Sequence, residues 1–335
     1  MVLWHHSIPV DPNAAQIFGR GFLGVDFFFV LSGFLITTLL LRERSAFGDF
    51  SLGDFYKRRI LRILPVYFFV VGAVSTFYVL VDGQTELAQL VPFYLVFLSN
   101  FLTEHIPTLS ITWSLSVEEQ YYMIWPLILL MVPTRWLIPL SLLLIALNVG
   151  GIMGIFGLAP VAAGPLAFSL PNSTYAPIIM GSLLALLLHS CSGFGIIETV
   201  LGGRWVAAAG FVVLAFVLQL TPGDLRGLPN LLVHTVMTAI LAALVVREDN
   251  TFLGFLRNPV IARIGAVSYG IYLYHLLALD VANRLLPLFG ATNGWIILLV
   301  YSVISYAIAE LSFRTLEAYF RRFRPKLRQR PEPAC

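Results

Sequence analysis

The histidine pair His5–His6 and the carboxylate pair Glu118–Glu119 are the residues here best suited to acid–base chemistry. An imidazole with a pKa near neutrality can take a proton from a hydroxyl, and a carboxylate can fix its tautomer and stabilise its cation. Asp26, Asp280 and Glu310 add carboxylates within or at the edge of apolar stretches, and His189, His234 and His275 add titratable rings. Ionisable groups in such places are costly and mark functional sites by default. A second group is cationic. Arg58, Arg59 and Arg62 fall within one short stretch, and Arg58 and Arg62 are i,i+4 neighbours on a helix face. Two guanidiniums so placed can grip a phosphate. Each group also has a plainer reading: an interfacial histidine beside a water-facing carboxylate, and a basic anchor at a membrane surface.

The elements that position these groups are apolar helices. Apolar residues make up 58% of the 335 and charged residues 12%, about half the roughly 25% charge of a soluble domain. The charges cluster and leave apolar runs of about 20 residues, the length of a membrane-crossing helix. These runs cover 20–41, 63–81, 113–132, 136–157, 174–190, 204–220, 230–246, 265–286 and 293–313. The expected fold is all-α, a polytopic membrane bundle of about nine full transmembrane helices. Residues 1–6 read as the last turns of a further, incomplete first helix, and 88–103 as an interfacial or re-entrant segment. The transmembrane domain is expected over 1–324, with 325–335 as a basic cytoplasmic tail.

The distribution of basic residues tests this count. With the loop 42–62 placed in the cytoplasm, 18 of the 21 Lys and Arg residues fall inside and only Arg20, Arg226 and Arg284 outside. The C-terminus is then cytoplasmic, while His5, Asp26 and Glu118 lie toward the outer side and the Arg58–Arg62 cluster toward the inner. Cys191 and Cys335 give neither a disulfide framework nor a metal-ligand spacing. No metal and no bound cofactor is expected. Nucleic-acid binding is not expected either, because the basic residues sit at helix ends. A soluble enzyme, a secreted disulfide scaffold and a disordered chain are excluded by composition.

Four motifs go beyond composition. They are Gly24-Val25-Asp26-Phe27-Phe28-Phe29-Val30-Leu31-Ser32-Gly33-Phe34-Leu35, Phe55-Tyr56-Lys57-Arg58-Arg59-Ile60-Leu61-Arg62, Trp113-Ser114-Leu115-Ser116-Val117-Glu118-Glu119-Gln120-Tyr121-Tyr122 and Ser268-Tyr269-Gly270-Ile271-Tyr272-Leu273-Tyr274-His275. In this order they resemble the motifs of the membrane-bound acyltransferase family 3, which includes bacterial O-antigen and exopolysaccharide O-acetyltransferases. The resemblance implies ten transmembrane helices in the bacterial inner membrane. It implies transfer of an acyl group, usually acetyl, from acyl-CoA as co-substrate to a hydroxyl of a surface carbohydrate or glycosylated acceptor.

The family's first-helix histidine, regarded as catalytic, maps onto His5 after Trp4, and its motif carboxylate onto Glu118. The arginines linked to the CoA donor map onto Arg58, Arg59 and Arg62. On this reading His5 is the base and Glu118 orients it. Asp26 supports the histidine, Trp113 and Tyr122 wall the acceptor or acyl chain, and His275 is a further supporting residue that also reads as a packing group. Gly33 and Gly181 allow close helix approach. With His5 outside and the arginines inside, either the pantetheine arm threads into the protein or an acyl-His5 relay carries the group across.

Two departures stand out. The family places an arginine about eleven residues before this histidine, whereas the sequence starts four residues before it, so the first helix is expected to be truncated. The stretch Ser173–Ala176 lacks the Arg and Asp frequent in relatives. The rival classes are a transporter or flippase for an acyl or glycolipid substrate, and a catalytically inactive member.

Overall fold

A computed structural model describes residues 2–7, 16–159, 161–168, 174–223, 225–290 and 293–325. The protein is 78% helical. In chain order the helices are α1 (Val2–Ser7), α2 (Leu23–Phe47), α3 (Leu52–Thr76), α4 (Val91–Leu95), α5 (Thr112–Met131), α6 (Thr134–Ile152) and α7 (Ala176–His189). They continue as α8 (Cys191–Leu201), α9 (Val206–Leu220), α10 (Leu228–Val246), α11 (Leu253–Leu256), α12 (Pro259–Leu285), α13 (Gly294–Arg314) and α14 (Leu316–Arg321). Between α6 and α7 an antiparallel hairpin of β1 (Val161–Ala163) and β2 (Leu166–Phe168) pairs Ala162 with Ala167. The apolar pattern gave no sign of it. The protein is thus an all-α polytopic membrane protein, as composition predicts.

Every predicted span falls on a helix, but the helices differ in reach. By length and apolar character, six can cross a membrane: Leu23–Phe47, Leu52–Val81, Thr134–Ile152, Leu228–Val246, Pro259–Phe289 and Gly294–Arg321. Three predicted spans are not among these six: 113–132, although α5 covers its length, 174–190 and 204–220. The run 174–190 yields only the 14 residues of α7, because the chain turns by 108° into α8. Ser190 makes this break. Its backbone is extended, and its hydroxyl accepts from Gly193 N at 3.1 Å, capping α8 instead of continuing α7. The run 204–220 yields the 15 residues of α9, about 22 Å of helix at 1.5 Å per residue. Residues 88–103 form short turns around α4 rather than a span. The tail beyond residue 325 and Ser173 lie outside the described residues.

The chain divides into two compact units. The first takes Met1–Thr38 and Ser116–Ala262, the second Leu39–Leu115 and Arg263–Cys335. In the first, Val30, Phe34, Leu184, Leu214, Met237 and Ile240 belong to one buried cluster formed by α2, α7, α9 and α10. Faces of α6 and α9 expose Leu142, Leu143, Val212, Val213 and Phe216, as helices surrounded by lipid do.

Two glycines bring α2 and α7 into backbone contact. A Cβ on Gly33 would lie 1.9 Å from the Ile178 carbonyl oxygen, and one on Gly181 1.9 Å from that of Val30. The contact is sealed by polar side chains. Ser182 Oγ donates to Gly33 O at 3.0 Å and receives Thr37 Oγ1 at 2.7 Å. Tyr121 OH lies 2.6 Å from Ser182 Oγ, and Trp125 Nε1 donates to Thr37 Oγ1 at 2.7 Å. Arg20, only 4% exposed, ties the entry of α2 to the end of α9. Its guanidinium donates to Leu218 O, Thr221 Oγ1, Thr221 O and Pro222 O, satisfying carbonyls that a helix C-terminus leaves open.

In the second unit Tyr67 OH donates to Tyr94 O at 2.8 Å, and the Tyr67 ring stacks on Phe97. Tyr274 OH donates to Ser312 Oγ at 3.1 Å, joining α12 to α13. Glu43 accepts from Ser51 N at 3.2 Å, while Ser51 Oγ accepts from Asp54 N and caps α3.

Candidate functional site

The predicted site residues divide between the two units. In the first, α1 carries His5 partly buried. Its ring meets His6 at 5.2 Å and Phe22 at 5.6 Å. Phe22 stands four residues before Asp26, so His5 packs at the approach to α2. Glu118 is 4% exposed, and its carboxylate receives the hydroxyl of Tyr122, one turn further along α5. A buried carboxylate held by a neutral donor is the form expected of a group that orients or stabilises a cation. No hydrogen bond joins His5 to Glu118 among the described residues.

Tyr122 was expected as a wall for acceptor or acyl chain. It is 3% exposed, and its hydroxyl is committed to Glu118. Asp26 was expected to support His5, but its Oδ2 lies 3.1 Å from Nε2 of His234. The physical reason is the fold. Asp26 sits in the first turn of α2 at 5% exposure, and α10 brings in His234 at 1%. His234 matched none of the motifs. Its one sequence signal is Asn230 four residues earlier, which puts two polar side chains on one face of an apolar helix.

In the second unit, Arg58 and Arg59 on α3 are half-buried and Arg62 is exposed. Arg58 Nη2 lies 3.3 Å from Glu43 Oε2, and its Nη1 is buried without a hydrogen-bond partner. The Arg59 guanidinium lies over the Phe55 ring at 5.8 Å. A contributor that the sequence reading missed is Arg324, just beyond α14. Its Nη2 donates to Leu61 O at 3.3 Å, and its Nε is buried without a partner. Burial, and then the positive charges of Arg62 and Arg321, hold its guanidinium below the usual arginine range, partly offset by Glu317. A buried guanidinium close to further positive charges lies in a concentrated positive field, suited to an anion.

Trp113, at the start of α5, is half-buried. One residue on, Ser114 Oγ lies 2.7 Å from Tyr272 OH, which donates to Ile111 O at 3.0 Å. His275 is fully buried, with Nδ1 2.5 Å from Tyr272 O on its own helix. That bond holds α12 locally and fits the packing reading of this histidine. Asp280 and Glu310 belong to ion pairs. Asp280 accepts from Arg284 at 2.9 Å. Glu310 accepts from Arg263 on α12 at 2.6 Å and from Arg314 at 2.5 Å. Both Asp280–Arg284 and Glu310–Arg314 are i,i+4 pairs, a spacing that the sequence reading passed over when it counted these carboxylates among the candidate functional charges. Among the described residues no group of three or more His, Cys, Asp or Glu could hold a metal ion.

Comparison with known proteins adds what geometry alone does not. Residues 1–312 match the family Acyl_transf_3, described as an acyltransferase domain. The chain is similar to O-acetyltransferase OatA of Staphylococcus aureus strain NCTC 8325 / PS 47. The two are 25% identical over 350 residues, covering 92% of this chain and 54% of the relative. The same figures hold for OatA of Staphylococcus aureus strain COL. The chain therefore spans about half the length of these curated relatives. No solved structure matches it. With four motifs in order and a match over residues 1–312, the chain belongs to the Acyl_transf_3 family of membrane acyltransferases.

Proposed function

We propose that the protein is an integral membrane O-acyltransferase that moves an acyl group, acetyl by the names of its relatives, from acyl-CoA to a hydroxyl of a surface carbohydrate. Its place is the bacterial cytoplasmic membrane, with the C-terminus inside. The observation that carries this reading is the half-buried Arg58 guanidinium, tethered to Glu43 on one side and with a buried, unpartnered Nη1 on the other. A buried cationic donor without a partner costs stability unless an anion completes it. The CoA phosphates are such an anion, and Arg59, Arg62 and Arg324 enlarge the field around it.

The reaction then needs a base. The imidazole of His5 takes the proton of the acceptor hydroxyl as its oxygen attacks the thioester carbonyl. The tetrahedral intermediate collapses, the C–S bond breaks, and the imidazolium returns the proton to the leaving CoA thiolate. An ester and free CoA thiol result. The Glu118 carboxylate, steadied by Tyr122, stabilises the charge that His5 gains.

The test follows thiol release and glycan-bound acetyl in membranes given acetyl-CoA and the host's surface glycans. Wild type is expected to release thiol and acetylate glycan, and His5→Ala to do neither. Arg58→Gln is expected to raise the KM for acetyl-CoA by about tenfold, the value of one charge-assisted hydrogen bond. Equal transfer by wild type and His5→Ala would remove His5 from the mechanism. Acetyl-CoA left untouched by wild type would overturn the transferase reading.

A further inference from the structure

Arg324 lies outside the four motifs and beyond residue 312, where the family match ends. Its place is set by a proline. Pro65 stands inside α3 and has no N–H, so the carbonyl of Leu61, four residues earlier, loses its helical partner. Arg324, just past α14 and in the same unit as α3, fills the gap: its Nη2 donates to Leu61 O at 3.3 Å. The bond holds the half-buried guanidinium beside Arg62, the next residue of α3, and leaves Nε buried without a partner.

A water molecule can satisfy that Nε, but water cannot balance charge, and positive charge is in surplus here. The guanidiniums of Arg62, Arg321 and Arg324 act together on one carboxylate, that of Glu317. Arg321 is already engaged: it lies over the Phe313 ring at 4.0 Å and donates to Phe313 O at 3.3 Å. Arg62 is exposed and makes no hydrogen bond among the described residues. Arg62 and Arg324 therefore present two cations, one at the surface and one behind it, to an anion arriving from the water. Two adjacent cations are best met by a dianion. A phosphate monoester carries about −1.5 to −2 charge near neutral pH and offers three acceptor oxygens, whereas a phosphodiester carries a single charge.

CoA carries one such monoester, the 3′-phosphate of its ribose; its other two phosphates form the pyrophosphate. Arg58 and Arg62 are one turn apart, about 6 Å along α3, so the pyrophosphate and the 3′-phosphate of one ribose can each meet an arginine. Both arginines lie toward the side that the basic-residue distribution assigns to the cytoplasm, where a CoA donor is found.

We propose that Arg62 and Arg324 form a phosphate-monoester site that takes the 3′-phosphate of the acyl-CoA donor, with Arg324 as a specificity residue for that group. The assignment to CoA rests on the acyl-CoA reading above. A lipid headgroup, that of phosphatidic acid, offers the same monoester, and the test separates the two sources.

Binding is read apart from catalysis, on protein in phosphatidylcholine nanodiscs. The probes are CoA and 3′-dephospho-CoA, which differ only in the monoester and carry no acyl group to transfer. Wild type is expected to bind CoA about tenfold or more tightly than 3′-dephospho-CoA, the value of a hydrogen bond to a charged group. Arg324→Gln should remove that preference and leave 3′-dephospho-CoA binding unchanged. Arg324→Gln also strands Leu61 O and can weaken the fold. Arg62→Gln disturbs no hydrogen bond, and it should shrink the preference at an unchanged melting temperature. Wild type that binds both forms equally, or variants that weaken both forms alike, would overturn the proposal. Binding of neither form would instead strike the acyl-CoA reading on which it rests.

Nanodiscs containing phosphatidic acid, or phosphatidylglycerol at equal charge, identify the source. Equal competition by the two lipids supports the CoA assignment. Stronger competition by phosphatidic acid gives the site to a lipid headgroup and overturns it. Catalysis supplies the last arm. The wild-type KM for acetyl-CoA should lie about tenfold below that for acetyl-3′-dephospho-CoA at the same kcat, and Arg324→Gln should bring the two together. Thiol release from neither thioester, with the CoA preference intact, would strike only the transferase reading.

Discussion

Gly33→Ala offers the sharpest test of how α2 and α7 are held. The added methyl would stand 1.9 Å from Ile178 O, whereas ordinary van der Waals contact begins at 3.4 Å. The obstacle is backbone, so no side chain can rotate away. The helices must part by about 1.5 Å at this point, or the residue must distort; overpacking of this kind costs about 1–3 kcal/mol. Separation also strains the bond from Ser182 Oγ to Gly33 O and, through Ser182, those of Thr37 and Tyr121. Hydrogen bonds between membrane helices average about 0.6 kcal/mol each, so the total expected loss is about 2–4 kcal/mol.

The control is Gly72→Ala on α3, where a Cβ would meet nothing within 4 Å. Removing a mid-helix glycine there should stabilise by about 0.5–1 kcal/mol. Both variants are unfolded in the same detergent, and the transitions compared. A third variant sharpens the reasoning. Gly181→Ala meets Val30 O at 1.9 Å, so one displacement of α7 relieves both clashes. The double variant should then cost clearly less than the sum of the single ones. If Gly33→Ala and Gly72→Ala melt together, the close backbone contact does not hold the fold. If the two glycine costs add in full, the clashes are independent and the shared-displacement argument fails.

Three further outcomes are expected. Tyr122→Phe removes a donor from the buried Glu118 carboxylate and should lower acetyl transfer about tenfold or more, in line with about 1.5–3 kcal/mol for a hydrogen bond to a charge; kcat near the wild-type value would detach this pair from the chemistry. Arg20→Met strands the carbonyls of Leu218, Thr221 and Pro222 and should destabilise by about 2–4 kcal/mol, with Arg20→Lys recovering only part because an ammonium cannot span the same fork; a melting temperature unchanged in Arg20→Met would refute this. Burial pushes the Tyr94 hydroxyl up to about 12 from its ordinary value of 10.0, so the folded state disfavours the phenolate, and stability present below pH 10 should fall as pH rises from 10 toward 12. Alkaline unfolding of Tyr94→Phe should lack that component, and identical pH profiles would contradict it.

The fold was legible wherever hydropathy alone decides it, and illegible where a short polar interruption does. All nine apolar runs became helices because a backbone in lipid has few other ways to satisfy its polar groups. The break between α7 and α8 turns on Ser190 preferring to cap a new helix, and no window of about 20 residues registers one serine. The motif glycines announced a close approach, and Gly33 and Gly181 make it. The motif aspartate did not announce its partner: Asp26 and His234 stand 208 positions apart, and nothing local marks two such residues as neighbours.

That separation bears on how such sites are found. The sequence reading attached Asp26 to His5 because both fall toward one membrane side. The helix packing attaches it to α10, through a histidine that no motif contains. Glu118, by contrast, meets Tyr122 inside its own motif, one helical turn away, where spacing alone already implies contact. Short-range polar partners in a membrane bundle can therefore be read from i,i+4 spacing. Long-range ones follow from which helix ends share a side, and on that criterion α2, α7 and α10 all begin where Asp26, Thr174 and Asn230 lie. Sidedness narrows the possible partners of Asp26 to a few groups, and burial selects His234 among them. A charge that deep in an apolar bundle is tolerated only beside a group that can share its proton.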